Sequence, residues 1–232
     1  MNKKPFWLLL SLIVIFSLVL VACGPTETEE PAEEPMEEMS ERSKTLIFDI
    51  DGGRSTDPEL WNPYVPGRRQ DQGFHQTILE PLFILNYQTG EIEPWLGTEM
   101  TSNDAYDVWT LKLREGIEWS DGEVLDADDV VFTMNMLLAN PELNWAAGLA
   151  DWIDDVEKID DLTVQFNLNR ANPFFQLNNF SVRIWGGPSI VPEHIWADVD
   201  PLTFKNYDPE KGYPVGTGPY TLDAVSPTEF VY

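Results

Sequence analysis

Cysteine is nearly missing from this chain. Its 232 residues contain one, Cys23, so no intramolecular disulfide can form. Histidine is almost as scarce. His75 and His194 are the two, far apart, with no metal-ligand spacing around them, and His75 reads as structural. Basic residues are few: 14 Lys and Arg stand against 40 Asp and Glu, a net charge of −26. Nucleic-acid binding needs a basic footprint, so that class of partner is excluded. The acidic balance otherwise speaks to solubility and names no ligand. No Walker A sequence occurs. No Ser-His-Asp order or metal-ligand cluster stands out. The expectation is therefore a non-enzyme with no cofactor and no metal. Beyond residue 22 no apolar run is long enough to span a bilayer.

What is present begins with an export signal. Lys3 and Lys4 precede an apolar run over residues 6–22 that only Ser11 and Ser17 interrupt. Its length suits a signal peptide better than a membrane span. It ends Leu20-Val21-Ala22-Cys23, which resembles a bacterial lipobox. The resemblance implies cleavage before Cys23 and lipid on its thiol, anchoring the protein on the extracytoplasmic face of the cell membrane. Residues 23–43 then read as a disordered tether, with eight Glu and almost nothing apolar to offset ordering entropy.

The folded region starts near residue 44. With 43% hydrophobic residues and nine Trp, the chain has ample material for a core. Its most legible stretch is residues 109–138. Trp109, Leu111 and Leu113 alternate with polar residues, as in a half-buried strand. Glu115-Gly116 and Ser120-Asp121-Gly122 mark turns. Asp126 is placed as an N-cap, with Asp129 three residues on. Val130, Val131, Met134, Leu137 and Leu138 fall on one helical face, and Asn140-Pro141 ends it.

Elsewhere, residues 74–83 read as a helix ending before Pro81 and residues 87–90 as a hairpin turn. Residues 145–153 are amphipathic. Asp154, Asp155, Asp160 and Asp161 lack calcium-loop spacing and read as a solvated acidic face. Leu162, Val164, Phe166 and Leu168 alternate as a strand, a helix begins at Phe174-Phe175, and Ile190-Val191 reads as a strand.

The W-T-x-x-L-R-x-G-I-x-W-S-D-G pattern of residues 109–122, followed by A-x-D-V-x-F-T at 127–133, resembles the signature of family 5 extracytoplasmic solute-binding proteins. These are the dipeptide, oligopeptide and nickel receptors of ABC importers. Glu80-Pro81-Leu82-Phe83, Pro94-Trp95-Leu96-Gly97 (with Gly97 where the family has Ala), Pro192-Glu193-His194-Ile195-Trp196 and Gly216-Thr217-Gly218-Pro219-Tyr220 resemble further segments, in family order. The implied fold is mixed α/β, a periplasmic-binding-protein type II-like pair of lobes closing on ligand. Residues 44–232 would make most of the first lobe, with the second lobe absent and the ligand cleft incomplete. The signature residues themselves are expected to be scaffold.

The implied function is a lipid-anchored receptor delivering peptides to an ABC importer. Its partners would be the permease and ATPase subunits, the membrane through the N-terminal lipid, and a peptide ligand. An oligosaccharide receptor of the same family is the alternative. Residues 57–64 form a proline-punctuated loop that in this family runs along the cleft. Trp61, Asn62 and Tyr64 are thus the expected ligand contacts, though a packed loop weighs equally. One enzyme reading also exists. Asp49-Ile50-Asp51-Gly52 resembles the first motif of haloacid-dehalogenase-type phosphatases, with Asp49 as nucleophile, Asp51 as general acid and Mg²⁺ required. Gly53 stands where that motif has Thr, and no lysine-bearing third motif follows.

Overall fold

The computed structural model describes residues 55–66, 77–182 and 187–232. All belong to one compact unit, Asp49–Tyr232. The readings of the signal segment, Cys23, the tether, Asp49, Asp51 and His75 lie outside the described residues.

The centre is a four-stranded antiparallel sheet in the order β3-β4-β6-β5. Its strands are β3 (Gly97–Ser102), β4 (Val108–Leu113), β5 (Ile153–Asp160) and β6 (Thr163–Leu168). Strict alternation places Trp109, Leu111 and Leu113 of β4 on the same inner face as Val164, Phe166 and Leu168 of β6. The register pairs Trp109 with Phe166 and Leu111 with Val164, so apolar side chains meet across strands. β5 keeps Ile153 and Val156 inward and leaves Asp154, Asp155 and Asp160 exposed.

Helix α1 (Ala127–Ala139) packs against β5 and β6. It is capped as its sequence implies. The Asp126 side chain accepts from the Asp128 amide, and Asp129 returns the bond to the Asp126 amide, completing a capping box. Val130, Met134 and Leu137 are buried, whereas Val131 and Leu138 are only partly so. The α1 start is tied to the β5–β6 turn: the Ala127 amide donates to Asp161 O, and Lys158 pairs with Asp128 (2.7 Å) and Asp161 (2.9 Å). Short helices α2 (Ala146–Ala150) and α3 (Phe175–Asn179) follow. Phe175 and Phe180 close an aromatic cluster with Phe166 at centroid distances of 5.3–5.6 Å.

A second sheet has the order β2-β1-β7, from β1 (Phe83–Leu85), β2 (Ile92–Pro94) and β7 (Ser181–Val182). The β1–β2 hairpin turns at the expected place, with Gly90 at φ +78°. Helix α4 (Glu193–Trp196) and a small β8–β9 pair, Ala224–Val225 with Phe230–Val231, complete the described chain.

The helix expected to end before Pro81 has ended by Leu79, and Phe83 opens β1. Pro81 lacks the amide that a continuing helix would use. One expectation is corrected: Ile190-Val191 is not a strand. The Thr133 hydroxyl of α1 accepts from the Val191 amide (3.1 Å) and donates to its carbonyl (3.4 Å), taking both groups a ladder would use.

Candidate functional site

The signature segments converge on one buried carboxylate. Asp129 is 5% exposed. Its Oδ2 accepts from the Trp119 indole (3.0 Å) and the Asp126 amide (3.2 Å), and its Oδ1 accepts from the Glu193 amide (2.8 Å). Trp119 before the Ser-Asp-Gly turn, the start of α1 and, 64 residues on, Glu193 are thereby locked together. Burial raises the Asp129 pKa above the ordinary value, and these N–H donors pull it partly back. Beside it, His194 Nε2 lies 2.8 Å from Asp121 of the Ser-Asp-Gly turn.

The Gly-Thr-Gly-Pro-Tyr segment completes the junction. The Ser120 amide donates to Gly216 O (2.9 Å), and the Gly216 amide reaches back to the Ser120 hydroxyl (3.4 Å). On its other side, the Gly218 amide donates to Ile78 O (2.8 Å) and the Tyr220 amide to Thr77 O (3.0 Å). Glycine serves close approach here. Neither Gly216 nor Gly218 has a positive φ, but a Cβ on either would collide with the backbone of residues 77–78. These residues hold a lobe together and offer no nucleophile with a base beside it. Among the described residues, no group of three His, Cys, Asp or Glu is placed to hold a metal.

The loop expected to meet ligand is turned inward. Trp61, Asn62 and Tyr64 all have 0% exposure. The Trp61 indole N–H donates to Pro58 O (3.0 Å), and its ring meets Phe230 and Tyr232 edge-on at 5.5 and 6.2 Å. Asn62 Nδ2 donates to Pro201 O (2.9 Å) and Phe204 O (2.7 Å), while its Oδ1 accepts from the Tyr64 amide (2.8 Å). The Tyr64 hydroxyl donates to the Ser189 carbonyl, and its ring packs on Trp196 at 6.1 Å. Asn206, at φ +55°, donates to Trp61 O (3.3 Å) and seals the loop from above. Ligand contact by these three would require part of this cover to lift.

An open groove lies elsewhere, lined in part by residues of the family-like segments. It encloses about 390 Å³. Leu79, Pro81, Ile84 and Pro219 form apolar walls, and Glu80, Trp95 and Thr217 supply the polar groups. Trp95 is 43% exposed. Its indole N–H donates to Glu80 Oε1 (2.8 Å). In the sequence Trp95 follows Pro94 and stands two residues before the small Gly97.

Comparison with known proteins agrees with this construction. The profile of the bacterial extracellular solute-binding proteins, family 5 Middle, matches residues 91–232. The chain belongs to that family. It is 30% identical over 204 residues to the dipeptide-binding protein of Escherichia coli K12, covering 79% of this chain and 36% of that one. A periplasmic oligopeptide-binding protein of an oligopeptide ABC transporter from Thermotoga maritima superposes with a TM-score of 0.67 at 29% identity, over 81% of this chain and 33% of that one. The same Thermotoga maritima protein, in its mannohexaose-bound structure, superposes with a TM-score of 0.60 at 29% identity, over 73% and 30%. The chain spans about a third of the length of these relatives. Its fold is the mixed α/β fold of type II periplasmic binding proteins.

Proposed function

We propose that this chain is part of an extracytoplasmic receptor that captures peptides and delivers them to an ABC importer. The observation that carries the reading is the junction at Asp129, where the family's signature segments are assembled as scaffold within a profile match over residues 91–232. Similarity to the dipeptide-binding protein favours peptides. The mannohexaose-bound neighbour favours the oligosaccharide alternative. In this reading residues 44–232 belong to the first lobe, and the transport energy comes from a separate ATPase. The receptor has no catalytic function, so the purified protein is expected to hydrolyse neither ATP nor phosphate esters.

In the same proposal, Trp61, Asn62 and Tyr64 contact the ligand once part of the cover over their loop lifts. Calorimetry on the full-length protein with di- to pentapeptides and with cello-, manno- and xylo-oligosaccharides is the test. Heat from peptides alone is expected, and binding confined to sugars would reverse the preference. Trp61→Ala and Tyr64→Ala should each cost about 3–5 kcal/mol of stability, the usual range for removing a buried aromatic ring. They should also weaken ligand binding. Unchanged affinity in folded variants would leave the loop as packing.

The anchor is also part of the proposal. Cys23 carries the lipid, residues 1–22 are removed as a signal peptide, and residues 23–43 tether the lobe to the membrane. Cys23→Ala should abolish labelling by a radioactive fatty acid and block processing. A variant that still appears on membranes at the processed mass, unlabelled, contradicts the assignment.

A further inference from the structure

We propose that the groove between Glu80 and Trp95 binds the side chain of an arginine carried by a peptide ligand. The source of the arginine rests on the peptide reading above; the chemistry of the groove stands on its own geometry.

The groove is preformed. Three separate stretches make it, and backbone bonds tie them: Trp95 N donates to Leu82 O (3.2 Å) and Gly218 N to Ile78 O (2.8 Å). Trp95 is further held by Arg114 Nε, which donates to its carbonyl (2.8 Å). The indole N–H is already satisfied by Glu80 Oε1, so the exposed part of Trp95 that remains available is its ring. The second Glu80 oxygen takes no hydrogen bond from the described residues, and neither does the Thr217 hydroxyl.

That combination selects a cation on an apolar stem. An anion would meet the Glu80 carboxylate. A purely apolar group would cover the free carboxylate oxygen without offering it a donor, at a desolvation cost. Methylene groups fit against Leu79, Ile84 and the two prolines, as the stems of long basic side chains do on apolar surfaces. A guanidinium can lie flat on the indole and donate to both Glu80 and Thr217. Lysine, a compact point charge, matches that planar arrangement less well. The groove's volume of about 390 Å³ accommodates one such side chain.

The test is ¹H–¹⁵N NMR of the full chain, titrated with N-acetylarginine amide and with N-acetylcitrulline amide, its neutral isostere. The Trp95 indole signal is assigned by its loss in Trp95→Phe. Arginine should move that signal with an affinity at least tenfold above that of citrulline. Glu80→Gln, which keeps an acceptor for the indole, should erase the difference, and Trp95→Leu should weaken arginine binding. The remaining indole signals report that each variant is folded. Equal titration by arginine and citrulline, an unmoved Trp95 signal, or a response to mannose in place of arginine would overturn the proposal. Failure of the peptide reading appears separately, in the calorimetric panel, because N-acetylarginine amide probes the groove alone.

Discussion

Replacing Asp129 with alanine is expected to destabilise the lobe by about 3–5 kcal/mol, the range for removing a buried charged acceptor and stranding its donors. For a domain of this size that is a fall in Tm of roughly 6–20 °C. The physical cause is that three N–H groups lose one carboxylate together. The Trp119 indole and the amides of Asp126 and Glu193 all point at it, and Trp119 is 3% exposed, so water cannot readily replace what is removed. Asp129→Asn should recover only part of the loss. Donors face both oxygens of Asp129, so one of them must then face an NH₂ group. A variant within 1 kcal/mol of wild type in urea unfolding would show that the junction is not what holds these segments.

The same residue gives a pH signature. In the folded chain burial lifts the Asp129 pKa above its ordinary value. A folded-state pKa above the unfolded one means that the folded chain binds that proton more tightly. The associated stability is complete below the unfolded value and is lost as pH rises through the folded one. The difference in stability between wild type and Asp129→Asn should therefore narrow as pH climbs through that window. A difference that widens with pH would reverse the sign assigned to burial.

Asp129 also marks the limit of what the sequence made legible. Strand β4, helix α1 and strand β6 were readable because their apolar residues repeat with the right period, and Asp126 because a cap is a local event. The Asp129 capping bond was local too. Its bonds to Trp119 and Glu193 were not, since the second spans 64 residues and no pattern along the chain encodes it. The loop of Trp61, Asn62 and Tyr64 shows the converse. Aromatic rings beside an amide resemble a ligand-binding set when read locally. The groups that enclose them come from residues 189–206 and 230–232, and Asn62 bonds to carbonyls 139 and 142 residues away. The Glu80–Trp95 groove was hidden for the same reason: each part sat inside a family segment, and their meeting is a tertiary event.

Gly216→Ala should be the other severe substitution, costing about 2–4 kcal/mol, at the upper end for overpacking because backbone and not side chain stands in the way. A Cβ there would fall against the Ile78 carbonyl oxygen, and 2.8 Å from the carbonyl carbon. Retreat is blocked on both sides. Gly216 exchanges hydrogen bonds with Ser120, and two residues on, the Gly218 amide holds the same Ile78 carbonyl at 2.8 Å. The added methyl must therefore part either the Ser-Asp-Gly turn or the 77–78 backbone from this segment. Gly148→Ala is the matched control. Gly148 lies in helix α2 with nothing within 4 Å of where a Cβ would stand, so alanine there should be neutral or stabilise by about 0.5–1 kcal/mol. Loss of stability in Gly216→Ala but not in Gly148→Ala ties the cost to close approach. Because Gly216 and Gly218 also position Thr217 and Pro219 at the groove, the Gly216 variant should lose arginine binding along with stability. Full stability in Gly216→Ala would mean that the segment stands farther from Ile78 than the close approach requires, and the groove would then lose its Thr217 wall.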